Sequence, residues 1–136
     1  MKRYVAGFLF NHFGQVALIR KIKPEWQAGF LNGIGGHIEQ GETPLLAMRR
    51  EFEEETGVKI DLWHNFVTVK GDGYEVHWFR SYVNEAELKQ ATKEKPDWYN
   101  PHDLSDDVLD NLHWLVPMAN YKFDLRGEIW HDSPTC

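Results

Sequence analysis

The sequence predicts an α+β, sandwich-like fold, and three observations predict it. Apolar runs of strand length, rich in branched and aromatic residues, fill the first twenty positions and the middle of the chain. One stretch, residues 43–56, carries helix punctuation at both ends. Strand-like and helix-like stretches follow one another without a regular βαβ rhythm, which sets the chain apart from doubly wound folds.

The elements follow in order. RYVAGFLF and QVALIRK read as two strands joined by a turn at Asn11–Gly14. KPEWQAGFLNGIGG, with four glycines and one proline, reads as a loop and strand that bend sharply. Residues 43–56 form the best helix: Thr43 is a good N-cap, Pro44 suits the first helical position, and Gly57 suits the position just past the end. Leu45, Met48 and Phe52 form its apolar stripe. LWHNFVTVKGDGYEVHWFRSYV reads as a hairpin turning at GDG, with strands near 60–70 and 74–84. DWYNPHDL is a short strand and turn. SDDVLDNLHWLVPMANYKF reads as a helix from a Ser105 cap, then a second helical or extended piece after Pro117.

The 136 residues fit a single domain, 1–136, with enough chain for a core. No apolar run approaches the roughly 20 residues that span a bilayer. The N-terminal apolar stretch is short and broken by Asn11 and His12, so it reads as a strand and not as a leader. Cys136 is the only cysteine, which excludes an internal disulfide and points to the cytoplasm. Fifteen basic and 21 acidic residues give a net charge of −6, which argues against duplex nucleic acid and anionic membrane as partners. A small phosphorylated substrate stays open, because a divalent cation can reverse the local sign. The seven histidines show no zinc-like spacing with cysteine.

The densest charge lies in RREFEEETGV. On a helix Glu51, Glu54 and Glu55, spaced i, i+3, i+4, share one face, and Glu53 points elsewhere. Three carboxylates so placed offer an all-oxygen site suited to Mg²⁺ or Mn²⁺. From EFEEE alone, a solvated acidic face partnered by Arg49 and Arg50 is the competing account.

The wider stretch decides between them. From Gly36 it reads Gly, five residues, Glu42, seven residues, Arg50-Glu51, apolar Phe52, Glu53, Glu54-Glu55, Thr56, Gly57, apolar Val58. This resembles the Nudix box, the signature of the Nudix (MutT-like) hydrolases, over residues 36–58. All seven fixed identities are present. Phe52 is the one departure, since an aliphatic residue is more usual there.

The resemblance implies an α/β/α sandwich with a mixed sheet and a loop–helix–loop motif. It implies hydrolysis of a nucleoside diphosphate linked to another group, with Mg²⁺, or Mn²⁺, as cofactor. Glu54 and Glu55 match the family's main metal pair and Glu51 a third metal carboxylate, with a backbone carbonyl from Gly35 or Gly36. Arg50 would orient the glutamates and Glu42 would brace the loop against the helix, with Gly57 closing it. The general base would be a box glutamate, Glu51 or Glu54, or a carboxylate of the later loop KEKPDW, with Glu94 first and Asp97 second.

WQAGFLNGIGG resembles the corresponding loop of members that act on nucleoside triphosphates, including those that clear oxidised purine nucleotides. That places Asn32 toward the base, and Asp110 and Asn111 as further base-reading groups. The alternative for these three is a turn-stabilising Asn32 with surface Asp110 and Asn111. Trp26, Phe30, Trp78 and Trp114 are candidates to stack on a base or to fill the core. Tyr74 falls where dinucleoside polyphosphate hydrolases often carry a tyrosine. The proline that ADP-ribose pyrophosphatases tend to carry after the box is missing from VKGDGYEV. A nucleotide sensor without hydrolysis is the alternative of another class, and the intact box glutamates weigh against it. The expected protein works as a monomer or homodimer on a small nucleotide.

Overall fold

The computed structural model describes residues 1–121 and 127–130. His131, Cys136 and the Lys122–Phe123 end of the piece expected after Pro117 lie outside the described residues. Among the described residues, eight strands form one mixed sheet: β1 (Lys2–Phe10), β2 (Val16–Arg20), β3 (Leu31–Asn32), β4 (Ile34–His37), β5 (His64–Gly71), β6 (Tyr74–Tyr82), β7 (Lys95–Tyr99) and β8 (Glu128–Trp130). Two helices accompany it, α1 (Pro44–Thr56) and α2 (Leu112–Ala119). The main path runs β3-β2-β1-β6-β5-β8, with β4 paired to β1 and β7 to β2. β1 runs parallel to β6 and β5 parallel to β8, while the other pairs are antiparallel.

β1 is apolar on both faces because both are covered. Val5 and Leu9 pack with Ala47, Met48 and Phe52 of α1. Ala6, Phe8 and Phe10 point the other way and pack with Leu112, Leu115 and Val116 of α2. Alternation along one strand thus makes the helix–sheet–helix layering. The α+β expectation with a mixed sheet holds.

Helix α1 ends where its sequence says. Thr43 accepts a hydrogen bond from the Leu46 N–H at 3.2 Å, and Gly57 takes the left-handed conformation with φ 72°. The turns at Asn11–Gly14 and Gly71–Gly73 also stand where predicted. Three boundaries differ. β5 begins at His64 and not near 60, since Trp63 Nε1 donates to the Ile60 carbonyl and closes a loop there. Ser105 caps no helix: the backbone at Asp107 and Leu109 is taken by Leu31, so α2 starts only after Asn111. Pro117 lies inside α2, in its last turn. The carbonyl its missing N–H would have met belongs to His113, and both residues are exposed, so water can serve that carbonyl.

Candidate active site

The β4–α1 connection builds the site. Gly35 and Gly36 lie on β4 opposite Ala6 and Val5. A Cβ on Gly35 would stand 1.9 Å from the Val5 carbonyl oxygen, so only glycine lets β4 approach β1. A Cβ on Gly36 would stand 2.5 Å from the Glu51 carboxyl carbon, so the helix carboxylate fills the space a side chain would take.

Arg50 organises the charge. Its Nε and Nη2 donate to the two oxygens of Glu42 at 2.7 and 2.8 Å, a bidentate pair. Nη1 donates to Glu51 at 2.9 Å and to Glu54 at 3.2 Å, and Nη2 also donates to the His37 carbonyl at 3.0 Å. Those hydrogen bonds from Arg50 hold the Glu42 carboxyl down at about 2, from an ordinary 4.5. One arginine therefore ties the loop to the helix and neutralises part of the glutamate cluster.

Glu51 and Glu55 line an open cavity of about 830 Å³. Burial raises the pKa of both. Glu55 accepts a hydrogen bond from the Thr92 hydroxyl at 2.9 Å. Glu54, expected beside them, is exposed, leans on Arg50 and is not among the cavity-lining residues. The reason is helical geometry: Arg50 lies four residues before Glu54 and reaches it directly.

Glu94 joins the cavity from the start of β7 and is buried. Its Oε1 accepts from the Lys21 ammonium at 2.9 Å, and its Oε2 accepts from the Ile22 and Lys23 amides at 2.7 and 3.3 Å. Burial alone would raise its pKa; the amide and ammonium donors outweigh it and the net shift is downward. Asp97, the second choice in KEKPDW, sits on β7 opposite Leu18 and is not among the lining residues. That stretch is strand from Lys95 onward and not loop. Pro96 is tolerated because, among the described residues, β7 pairs only with β2 and lies at an edge.

Asn32, Gln27, Trp26, Trp78 and Tyr74 line the same cavity. Asn32 is buried; its Oδ1 accepts from the Gly33 N–H at 2.8 Å and its Nδ2 donates to Gln27 Oε1 at 3.1 Å. Asp110 is exposed and Asn111 is buried at the start of α2, and neither lines the cavity. The pull of Asp107 and Leu109 onto β3 turns the chain so that Asn111 goes into the base of α2. Phe30 is partly exposed and Trp114 packs against the α2 core, both outside the cavity. Sequence reasoning missed Gln27, Lys21 and Lys23. The alternation in RKIK after β2 was a usable signal for the lysines, whereas a glutamine in a loop gives none.

The donor types suit a hard divalent cation: the carboxylates of Glu51, Glu54 and Glu55, with Gly36 packed closely enough against Glu51 that a Cβ there would meet its carboxyl group. Among the described residues no three His, Cys, Asp or Glu side chains already stand together as a cation cage. Arg50 holds two of the glutamates instead, so cation binding would draw Glu51 and Glu54 off the guanidinium.

The sequence model of the NUDIX domain family matches residues 1–118. The chain belongs to the Nudix family. A Danio rerio protein described as an oxidized purine nucleoside triphosphate hydrolase is 34% identical over 117 residues, 80% of this chain and 74% of the relative. A Haemophilus influenzae 8-oxo-dGTP diphosphatase is 42% identical over 53 residues, 39% of each chain. Among solved structures, a MutT protein from Bacillus halodurans superposes with TM-score 0.77 at 21% identity, covering 100% of this chain and 94% of that one. An ADP-ribose pyrophosphatase from Streptococcus suis superposes with TM-score 0.71 at 10% identity, covering 93% and 98%. The Nudix fold is thus shared between relatives of different named activity, and substrate must be argued from the cavity. The Nudix box, residues 36–58, forms the loop and helix that carry Arg50, Glu51, Glu54 and Glu55.

Proposed function

We propose that this Nudix hydrolase cleaves nucleoside triphosphates to monophosphate and pyrophosphate, with oxidised purine nucleotides as the preferred class, residues 1–136 acting as one domain. One observation carries this: a single cavity is lined both by the Glu51 and Glu55 carboxylates and by Trp26, Trp78 and the amide residues Gln27 and Asn32. A nucleotide calls for the same mixture, with its charged phosphate chain and its planar hydrogen-bonding ring. The volume of about 830 Å³ falls in the range usual for small-molecule sites. The similarity to the Danio rerio triphosphate hydrolase supports the substrate class.

Mg²⁺ or Mn²⁺, when bound by Glu51, Glu54, Glu55 and the Gly36 carbonyl, would neutralise the phosphates and acidify a water. The chain's own residues do the rest. Arg50 orients the glutamates, and Lys21 and Lys23 bring positive charge to the same cavity. Water attacks phosphorus, the anhydride P–O bond breaks, and pyrophosphate leaves. The proton lost by the attacking water passes to a box carboxylate, Glu51 or Glu54. Glu94, with both oxygens already accepting from Lys21, Ile22 and Lys23, serves better as the clamp of the 21–27 loop than as the base.

The test is a panel of canonical and oxidised nucleoside triphosphates, ADP-ribose and dinucleoside polyphosphates, each with Mg²⁺ or Mn²⁺. Triphosphates should lead in kcat/KM, with pyrophosphate as product. A leading dinucleoside polyphosphate would transfer weight to Tyr74, and binding without turnover would make the protein a sensor. Glu55→Gln should lower turnover by orders of magnitude with its melting temperature kept, because a partly exposed carboxylate contributes little to stability.

A further inference from the structure

We infer that Thr92 is a positioning residue for the cation: its hydroxyl holds Glu55, the one of the three carboxylates that Arg50 does not hold, in place to receive the metal. This rests on the cation site of Glu51, Glu54 and Glu55 in the reading above, and it reaches outside the 36–58 signature.

The neighbours of the hydroxyl fix the direction of the contact. The Glu94 N–H can only donate, and it meets Thr92 Oγ1 at 3.2 Å, so that oxygen accepts there. An ionised carboxylate can only accept, so the Thr92 proton goes to Glu55 Oε2, 2.9 Å away. The hydroxyl is committed on both sides. Arg50 donates to Glu51 and Glu54 at 2.9 and 3.2 Å, whereas the donor to Glu55 is Thr92. Glu55 lines the cavity and Thr92 does not, so Thr92 acts through the carboxylate.

The segment that carries Thr92 is itself anchored on both sides. The Lys89 N–H donates at 2.9 Å to the carbonyl of Thr56, the neighbour of Glu55 in the last turn of α1. Two residues after Thr92, the buried Glu94 accepts from Lys21, Ile22 and Lys23. Thr92 sits between these anchors, so its donor is fixed, and Glu55 loses little further freedom when a cation arrives. Glu51 and Glu54 have first to leave Arg50. Glu55 can keep Thr92 on Oε2 and offer its other oxygen. Partners of this kind orient a metal-binding side chain, and losing one costs about 10–100-fold in metal affinity or activity.

The test measures Mn²⁺ binding to the nucleotide-free protein, read from the paramagnetic resonance of free Mn²⁺. Thr92→Val keeps the branched shape and removes the donor; Thr92→Ser keeps the hydroxyl. Affinity should fall about ten-fold in Thr92→Val and stay within about three-fold of wild type in Thr92→Ser. The Mg²⁺ concentration for half-maximal turnover should rise with it. The metal-free melting temperature should hold, because Thr92 is exposed. A Thr92 that only braces the start of β7 would lower that melting temperature and leave Mn²⁺ affinity as in wild type. Unchanged affinity in Thr92→Val, or equal weakening by Val and Ser, would overturn the assignment. Should Thr92→Val fail to fold, Thr92→Ala makes the same comparison. Wild-type protein that binds no Mn²⁺ would overturn the cation site and the role of Thr92 together. Thr92-dependent Mn²⁺ binding without turnover of any triphosphate would reject the substrate reading and keep Thr92.

Discussion

At the scale of single residues, the site depends on two adjacent glycines that fail differently. Gly35→Ala sets a methyl against the Val5 backbone oxygen, and neither strand can yield without breaking β1–β4 pairing. It should cost about 1–3 kcal/mol or more and lower the melting temperature. Gly36→Ala meets first the end of the Glu51 side chain, which can swing away. The melting temperature should hold while kcat falls on the order of a hundred-fold, the cost of a misplaced catalytic group. Equal effects of the two substitutions on stability would contradict this division. Glu42 gives a pH signature. Its folded pKa of about 2 lies below the ordinary 4.5, so its contribution is complete above about 4.5 and disappears as pH falls toward 2. Glu42→Gln should therefore be less stable than wild type at pH 6, with the gap closing between pH 4.5 and 2 in urea titrations.

At the scale of elements, legibility tracks how local the determinants are. Helix α1 was readable to the residue because Thr43, Pro44 and Gly57 act through their own backbone. Arg50, Glu51 and Glu42 were singled out by the resemblance over residues 36–58, and in the structure hydrogen bonds join Arg50 to both glutamates. The start of α2 was not readable. Ser105 is a good cap in isolation, but Leu31 recruits the backbone two residues later, and tertiary pairing outweighs propensity. Asp110 and Asn111 left the cavity for the same reason. Glu54 shows a subtler limit: helical spacing gave the shared face correctly but not the competition from Arg50. The loop of residues 21–27 yields the prediction at this scale. Glu94→Gln weakens its anchor, since the charge-assisted bonds from Lys21 and two amides lose the carboxylate. KM should rise several-fold, with kcat within roughly three-fold of wild type. A collapse of kcat with KM unchanged would make Glu94 the general base after all.

At the scale of the whole molecule, the parallel pairing of β1 with β6 has a consequence in time. Lys2 lies opposite Tyr74 and Phe10 opposite Tyr82, so the strand that receives β4, and with it the Nudix box, gains its own partner late. During synthesis, the ribosome delivers every box residue, 36–58, before the first residue of β6 exists. For that interval α1 has its caps, yet the glycine strand docks on a β1 with an open edge. A fragment of residues 1–73 should therefore show helix by circular dichroism but little amide protection in β1 and β4, and no turnover. Adding residues 74–121 in trans should restore part of both if pairing is the missing step. Such long-range closure slows folding relative to a helical bundle of equal length. Catalytic competence thus arrives as a late event in the life of the nascent chain, set by the order of synthesis and not by the position of the signature itself.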